Sequence, residues 1–385
     1  MAKCDHPVFL SFRLYGNHFL TLHAKWNLAM AKIESYVIWN NKGGVGKSTI
    51  AFHTATRYAE LNPNKMVLVI DLCPQSNSSM MLLGGGSSGE NYVLQLCTEA
   101  TPRSVVGYLS TVIAAGPGAP LPDPLKFLVQ VSSVNPAAPP NLALLCGDGN
   151  LEPMSPAITG AANAPALTPS SQPWKWVHLI FRNLIQSFAD KYPGNDLTVF
   201  VDTNPSFSIY TELAISAGDK LIVPVNADDS SRVAANALFI LLHGQNPPHP
   251  IYGSWTFAAK AAALGMVVPQ IHVIVGNRLT QYEGAASAFA ALSDATADAL
   301  FNAYHMSPNY FTNRGPAPQN VQQFRDQYSV ALRDFNTAGV VAAHVGRPLS
   351  QLHGGYYPVH GHRIQINSER VAECQRAVDS LISML

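Results

Sequence analysis

Short apolar, β-branched runs alternate along this chain with stretches whose apolar residues recur every three or four positions. The runs Tyr36–Asn40, Met66–Asp71, Leu142–Cys146, Leu197–Asp202, Lys220–Val225 and Ile271–Gly276 read as strands. Helical stretches at about Lys47–Leu61, Trp174–Ala189, Ser230–His243 and Ala285–Tyr304 lie between them, and two more, about Val321–Phe335 and Ser368–Leu385, finish the chain. Strand and helix in alternation predict βαβ crossovers: an α/β fold, doubly wound, with a mostly parallel sheet and helices on both faces. Residues 84–173 interrupt the rhythm. They hold 13 of the 28 prolines among Gly, Ala and Ser, with one strand-like run, and predict a mostly surface-loop elaboration of one domain.

Composition narrows the class. With 24 basic and 24 acidic residues the formal net charge is zero, which excludes a basic nucleic-acid coat protein and an acidic tail protein. Apolar residues make up 47% and charged ones 12%, the pattern of a globular chain. Cys4, Cys73, Cys97, Cys146 and Cys374 are odd in number and widely spaced, without zinc-type spacing, and point to a reducing, cytoplasmic setting. Asp5, His6, Arg13 and Lys25 leave no clean apolar core for a secretory signal. The uncharged stretch from Ser104 is broken by Pro117, Pro120 and Pro122 before membrane-spanning length, so no membrane segment is expected. Met1-Ala2-Lys3 recurs as Met30-Ala31-Lys32 directly before the first strand. Residues 1–32 are therefore expected to be an extension to a single domain at 33–385, and two readings stay open: a native but dispensable segment, or a true start at Met30.

The chemistry sits in Tyr36-Val-Ile-Trp-Asn-Asn-Lys42-Gly43-Gly44-Val45-Gly46-Lys47-Ser48-Thr49, which runs from a strand through glycines into a helix. Backbone N–H groups of such a loop, gathered at a helix N-terminus, suit phosphate oxygens. Lys47 supplies a point charge to the β- and γ-phosphates and Ser48 a hydroxyl for Mg²⁺. Asn41 stands where an ordinary phosphate loop has its leading Gly, and a second lysine, Lys42, opens the motif. No third Gly follows Gly44-x-Gly46, so a nucleoside triphosphate is favoured over a dinucleotide.

These residues resemble the deviant Walker A ATPases, and among them the ParA-type partition ATPases of the ParA/MinD superfamily. The resemblance continues in Met66-Val-Leu-Val-Ile-Asp71-Leu-Cys73-Pro74-Gln75-Ser76-Asn77 and in the Walker B-like Leu197-Thr-Val-Phe-Val-Asp202. Lys220-Leu-Ile-Val-Pro224-Val225 and Ile271-His-Val-Ile-Val-Gly-Asn277-Arg278 are similar to later strands, the second ending where the family's base pocket lies. The resemblance implies ATP and Mg²⁺ as cofactors. It implies nucleotide contacts from Gly43, Gly44, Val45, Gly46, Lys47, Ser48, Thr49, Asn277 and Arg278, and a metal shell from Ser48, Asp71 and Asp202. Lys42 is implied to reach across a homodimer with ATP sandwiched between the copies, the role of an arginine finger elsewhere. One departure stands out. The family's second Asp, which positions the attacking water, is Cys73 here. A neutral thiol is a poor acceptor, so hydrolysis is expected to be slow or absent, with Asp71 as a partial substitute.

Within the superfamily the cysteine clusters of iron–sulfur proteins and the CxxC of arsenite pumps are missing from the sequence. The terminal stripe Val371, Cys374, Val378, Leu381, Ile382 and Leu385 is flanked by balanced charge and predicts core packing rather than a MinD-like membrane anchor. His353, His360 and His362 read as surface histidines or, less simply, a metal cluster. The function implied is an ATP-dependent dimerising switch that positions DNA or a protein cargo, with a ParB-like or other adaptor, non-specific DNA binding and a nucleoid-associated location following from resemblance alone. The competing reading is a non-hydrolysing ATP-binding regulatory or scaffold module.

Overall fold

Successive residues of the central strands send side chains to opposite sides, and both sides are apolar. Val37, Trp39, Leu68, Ile70, Val199, Val201, Leu221 and Val223 belong to one core, and Tyr36, Ile38, Val67, Val69, Phe200, Ile222 and Val273 to another. A sheet with two apolar faces must be covered twice, which is the doubly wound arrangement. The computed structural model describes residues 31–385 apart from 167, 169–170, 227, 245–246, 278–285 and 333–335. The N-terminal extension therefore lies almost wholly outside the described residues.

In chain order the first half comprises β1 (Ile33–Ile38), α1 (Lys47–Leu61), β2 (Met66–Leu72), α2 (Asn77–Leu82), α3 (Gly86–Thr98), α4 (Val105–Ala115), β3 (Val129–Gln130), β4 (Leu142–Leu145) and α5 (Leu151–Ala162). There follow α6 (Pro173–His178), α7 (Ile180–Ala189), β5 (Leu197–Thr203), α8 (Ile209–Ala217), β6 (Lys220–Asn226), α9 (Asp229–His243), α10 (Phe257–Ala263), β7 (Gln270–Asn277) and α11 (Ala286–Met306). The chain closes with α12 (Val321–Tyr328), β8 (Ser329–Ala331), α13 (Asn336–His344), a hairpin of β9 (Gly355–Val359) and β10 (His362–Ile366), and α14 (Ser368–Ile382).

The eight-stranded sheet has the order β3-β4-β2-β5-β1-β6-β7-β8. All neighbours are parallel except β3, which pairs antiparallel with β4 at one edge. β5 is inserted between β1 and β2, and the register sets Ile38 beside Asp202 and Asp202 beside Asp71. Three loops thus leave the carboxyl ends of adjacent strands side by side, where ligands of open α/β sheets bind. Helix α14 lays Val371, Cys374, Val378 and Leu381 into the core shared with α1, and Arg57 of α1 clasps Asp379 at 2.7 and 3.1 Å. The terminal stripe is core packing, as its charge balance implied.

Three expectations need correction. Residues 84–173 carry three helices, α3, α4 and α5, and the strands β3 and β4, with Val105, Tyr108, Leu109, Leu151 and Ile158 fully buried, so the segment is packed onto the domain and is not mostly surface loop. Some of their prolines mark helix boundaries: Pro102 precedes α4, Pro117 follows it and Pro173 begins α6, where a missing N–H costs nothing, whereas Pro156 lies inside α5. The helix expected at Val321–Phe335 ends at Tyr328 and turns into the edge strand β8, which pairs with Ile274–Gly276. The stretch Trp174–Ala189 is two helices, α6 and α7, broken at Leu179. The histidine loop is the β9–β10 hairpin, and no group of three or more metal-ligating side chains occurs among the described residues.

Candidate functional site

Beyond Ile38 the chain leaves the sheet and wraps into a loop held from several sides. Trp39 N–H donates to Ile222 O at 3.1 Å, and Asn40 Nδ2 to Pro224 O at 2.7 Å. Asn40 Oδ1 accepts from Lys42 N at 3.1 Å. On the far side Asn277 Nδ2 donates to Val45 O at 2.9 Å. Its amide therefore braces the loop, a role the sequence did not show. Gly43 and Gly44 form an exposed crest with open space above them, while Val45 is buried. Gly46 has φ +83°, and a Cβ there would lie 2.3 Å from Asn277 Nδ2, so both the backbone and the brace demand glycine. Helix α1 then begins at Lys47 with no side-chain cap and no acid in its first turn, leaving its amino end suited to an anion.

Lys47 is buried and curls back over the loop, its ammonium donating to Lys42 O at 2.9 Å and Asn40 O at 3.2 Å. Burial pulls its pKa down to about 8, partly countered by Asp202 and Cys73. Lys42 lies outside this nest, paired with Asp228 two residues past the end of β6. Ser48 and Thr49 are half-buried at the start of α1, and the Ser48 hydroxyl lies beside Asp202. Arg278 lies outside the described residues.

Asp71 and Asp202 face each other across β2 and β5, both without solvent exposure, and burial raises the pKa of each. Their surroundings differ. Asp71 is fully engaged by its own turn: Oδ1 accepts Cys73 N at 3.1 Å, and Oδ2 accepts Ser79 N at 3.0 Å and Ser79 Oγ at 2.7 Å. Asp202 Oδ1 accepts Thr203 N at 2.9 Å, whereas Oδ2 is buried without a hydrogen bond of normal geometry. The Ser48 and Ser78 hydroxyls are still close enough to favour its charged form. A buried, under-bonded carboxylate oxygen beside a serine hydroxyl fits a small divalent cation, whose hard oxygen shell would supply the missing partner. The residues present thus suit Mg²⁺ with a nucleotide's phosphates, with Asp202 and Ser48 placed to hold the metal and Asp71 placed to shape the turn.

Cys73 is nearly fully buried, and burial, reinforced by the two carboxylates, pushes its thiol up to about 12. It is neutral at physiological pH. A water molecule there would find a weak acceptor in place of a carboxylate.

Several participants were invisible in sequence. Ser79 bridges Asp71 to the loop after β4, because Gly147 N donates to Ser79 Oγ at 2.8 Å. Asn204, just past β5, donates to Tyr210 OH at 3.0 Å, and that hydroxyl donates to Glu152 of α5 at 2.7 Å. Part of the 84–173 elaboration therefore braces the Asp202 segment. No local spacing signals such pairs, since they join residues 58 and 68 positions apart.

A family model described as an AAA domain, AAA_31, matches residues 33–242, more than half of the chain. The chain belongs to this family. Its relatives are partition ATPases of the ParA/MinD type. The chain is 29% identical over 199 residues to the chromosome-partitioning ATPase Soj of Thermus thermophilus, a match that spans 51% of this chain and 57% of that protein. Among solved structures, apo McdA of Cyanothece superposes with a TM-score of 0.52 at 15% identity, covering 90% of this chain and 98% of that one. An ATP complex of a McdA variant gives 0.55 at 15% identity, over 92% and 96%. At that identity the likeness shows the shared fold.

Proposed function

We propose that the protein is an ATP-dependent dimerising switch of the ParA type, which positions DNA or a protein cargo and hydrolyses ATP slowly. The observation that carries this reading is the division of the two lysines. Lys47 lies inside the loop beside Asp202, whereas Lys42 stands outside it on Asp228. A lysine inside the nest serves the phosphates of its own copy. A lysine held at the edge by an ion pair is available to those of another copy.

When bound, Mg-ATP supplies the anionic phosphates and the metal charge that phosphoryl transfer requires. Lys47 exchanges the carbonyls of Asn40 and Lys42 for phosphate oxygens. Ser48 and Asp202 would hold the metal, and Asp71, saturated by Ser79 and Cys73 N–H, would fix the turn that carries Cys73. Lys42 would exchange Asp228 for the phosphates of a second copy and so couple nucleotide to dimerisation. DNA, a ParB-like adaptor and a cytoplasmic, nucleoid-associated setting belong to the same proposal. None of the described helices is long and apolar enough to cross a membrane.

Cys73 favours a second reading, a nucleotide-dependent scaffold that does not turn over, because its buried neutral thiol cannot act as a base. The two readings separate on ATP hydrolysis measured with and without DNA and adaptor. The dimer switch itself is tested by sedimentation of Lys42→Ala with ATP. The expected result is ATP bound as tightly as by the parent with no ATP-induced dimer; a loss of ATP affinity equal to that of Lys47→Ala would contradict the cross-dimer role.

A further inference from the structure

The cysteines that are scattered in sequence are not all apart in space. Cys97, in the last turn of α3, directs its Sγ to Gly147 O at 3.4 Å, the carbonyl next to Cys146 in the chain, and its thiol lies close enough to that of Cys146 to raise the pKa of the latter. Both backbones are pinned nearby: Arg103 N donates to Leu96 O at 3.0 Å, Val105 N to Cys146 O at 2.8 Å, and Ser104 forms an isolated parallel bridge with Cys146. Cys97 is partly exposed and Cys146 fully buried. Next to Cys146 is Gly147, whose N–H holds Ser79 Oγ and on which a Cβ would meet the Asp71 carboxylate at 2.8 Å.

We propose that Cys97 and Cys146 form a dithiol–disulfide site whose oxidation by a small-molecule disulfide is transmitted through Gly147 to the Asp71 corner. The partly exposed Cys97 thiolate attacks one sulfur of the small disulfide, forming a mixed disulfide and expelling one thiolate. Cys146 then loses its proton and attacks the Cys97 sulfur, forming the Cys97–Cys146 bond and expelling the second thiolate. Two protein thiols are oxidised and one small disulfide is reduced to two thiols. Hydrogen bonding to Cys97, together with burial, raises the pKa of the Cys146 thiol well above the ordinary range, so the second step is slow and quickens as pH rises. Closing the bond draws the backbone before Gly147 toward α3. Gly147 packs against Asp71 too tightly to follow without disturbing the Ser79 bridge.

The bond itself is tested on the full chain with oxidised glutathione, followed by digestion without reduction. Arg103 and Lys126 separate the two cysteines, so cleavage there leaves them joined only by a disulfide. The expected result is one linked peptide pair, two hydrogen atoms lighter than its parts, that dithiothreitol resolves and Cys97→Ser lacks. Oxidation that stops at a glutathione adduct on Cys97, or leaves both thiols free at alkaline pH, would overturn the site. Its transmission rests on the nucleotide reading above: the oxidised chain should bind a fluorescent ATP analogue about tenfold more weakly than the reduced chain, while Cys97→Ser is unaffected by the oxidant. A linked chain with unchanged affinity would overturn the transmission. If the reduced parent binds no ATP, the nucleotide reading fails instead, and peptide mapping judges the disulfide alone.

Discussion

The phosphate-loop corner and the β2–α2 corner sit on either side of β5 at the carboxyl end of the sheet, yet they are built to different ends. The loop between Asn40 and Ser48 is braced by Asn40, Asn277 and the backbone of β6, and it concentrates positive charge where phosphates would lie. The turn from Asp71 to Ser79 concentrates hydroxyls, one saturated carboxylate and a neutral thiol. On the proposed function, the first corner would serve binding, and Cys73 leaves the second without the carboxylate that would orient a water. On that reading, affinity and turnover should be separable in this chain by residue.

The largest expected effect is on the binding corner. Lys47→Ala removes charge-assisted contacts to phosphate worth roughly 3 kcal/mol, so ATP affinity should fall about 100-fold or more by calorimetry, with a melting temperature near that of the parent. Gly46→Ala should follow. An alanine at φ +83° costs about 1–2 kcal/mol and displaces Asn277 from Val45 O, so the variant should melt a few degrees lower and bind ATP more weakly. An unchanged melting curve and affinity would show that Asn277 is no brace.

A smaller effect sharpens the electrostatic side of the comparison. Lys47 titrates near 8 in the folded chain, below its ordinary value, so between those values the unfolded chain binds more protons and stability rises with pH. ATP requires the charged ammonium, so affinity should fall above about pH 8, approaching about tenfold per pH unit. Asp202, raised by burial and by the charge of Asp71, gives the opposite slope on the acid side, because Mg²⁺ needs its carboxylate. Calorimetry across this range should therefore trace a bell, and Lys47→Ala should lose the alkaline limb.

The two corners also differ in how far the sequence discloses them. Strands β1, β2, β5, β6 and β7 and the helix α1 stand within a residue or three of where the apolar runs place them, because a strand covered on both faces leaves an unbroken signature. The placement of Lys42, Lys47 and Ser48 in one loop and of Asp202 at a strand end was legible for a related reason: each position follows from a strand and the residues directly after it. The hydrogen bonds around Asp71 were not, since they involve Ser79 and, through it, Gly147, whose contact is fixed only by the parallel pairing of β2 and β4. In the 84–173 segment, proline density masked α4, although Ser104 caps it by accepting from Gly107 N at 3.2 Å. Proline at helix boundaries and proline in loops look alike until packing distinguishes them. β8 was hidden for the same reason: three residues at a sheet edge carry no period of their own.

The separation of binding from turnover is tested most directly at Cys73. A carboxylate placed there would act mainly in the transition state, where water-orienting groups contribute about 10²- to 10⁴-fold, and a geometry not tuned for it places the expected gain at the low end. The measurement is the ATP turnover number of Cys73→Asp beside its ATP Kd, on a variant shown by its melting curve to be folded, since a buried new charge can itself unfold the strand end. The account predicts a kcat raised about tenfold or more with Kd nearly unchanged. A folded variant that binds ATP like the parent and hydrolyses it no faster would show that residue 73 does not face the attacking water, and the division between the two corners would be wrong.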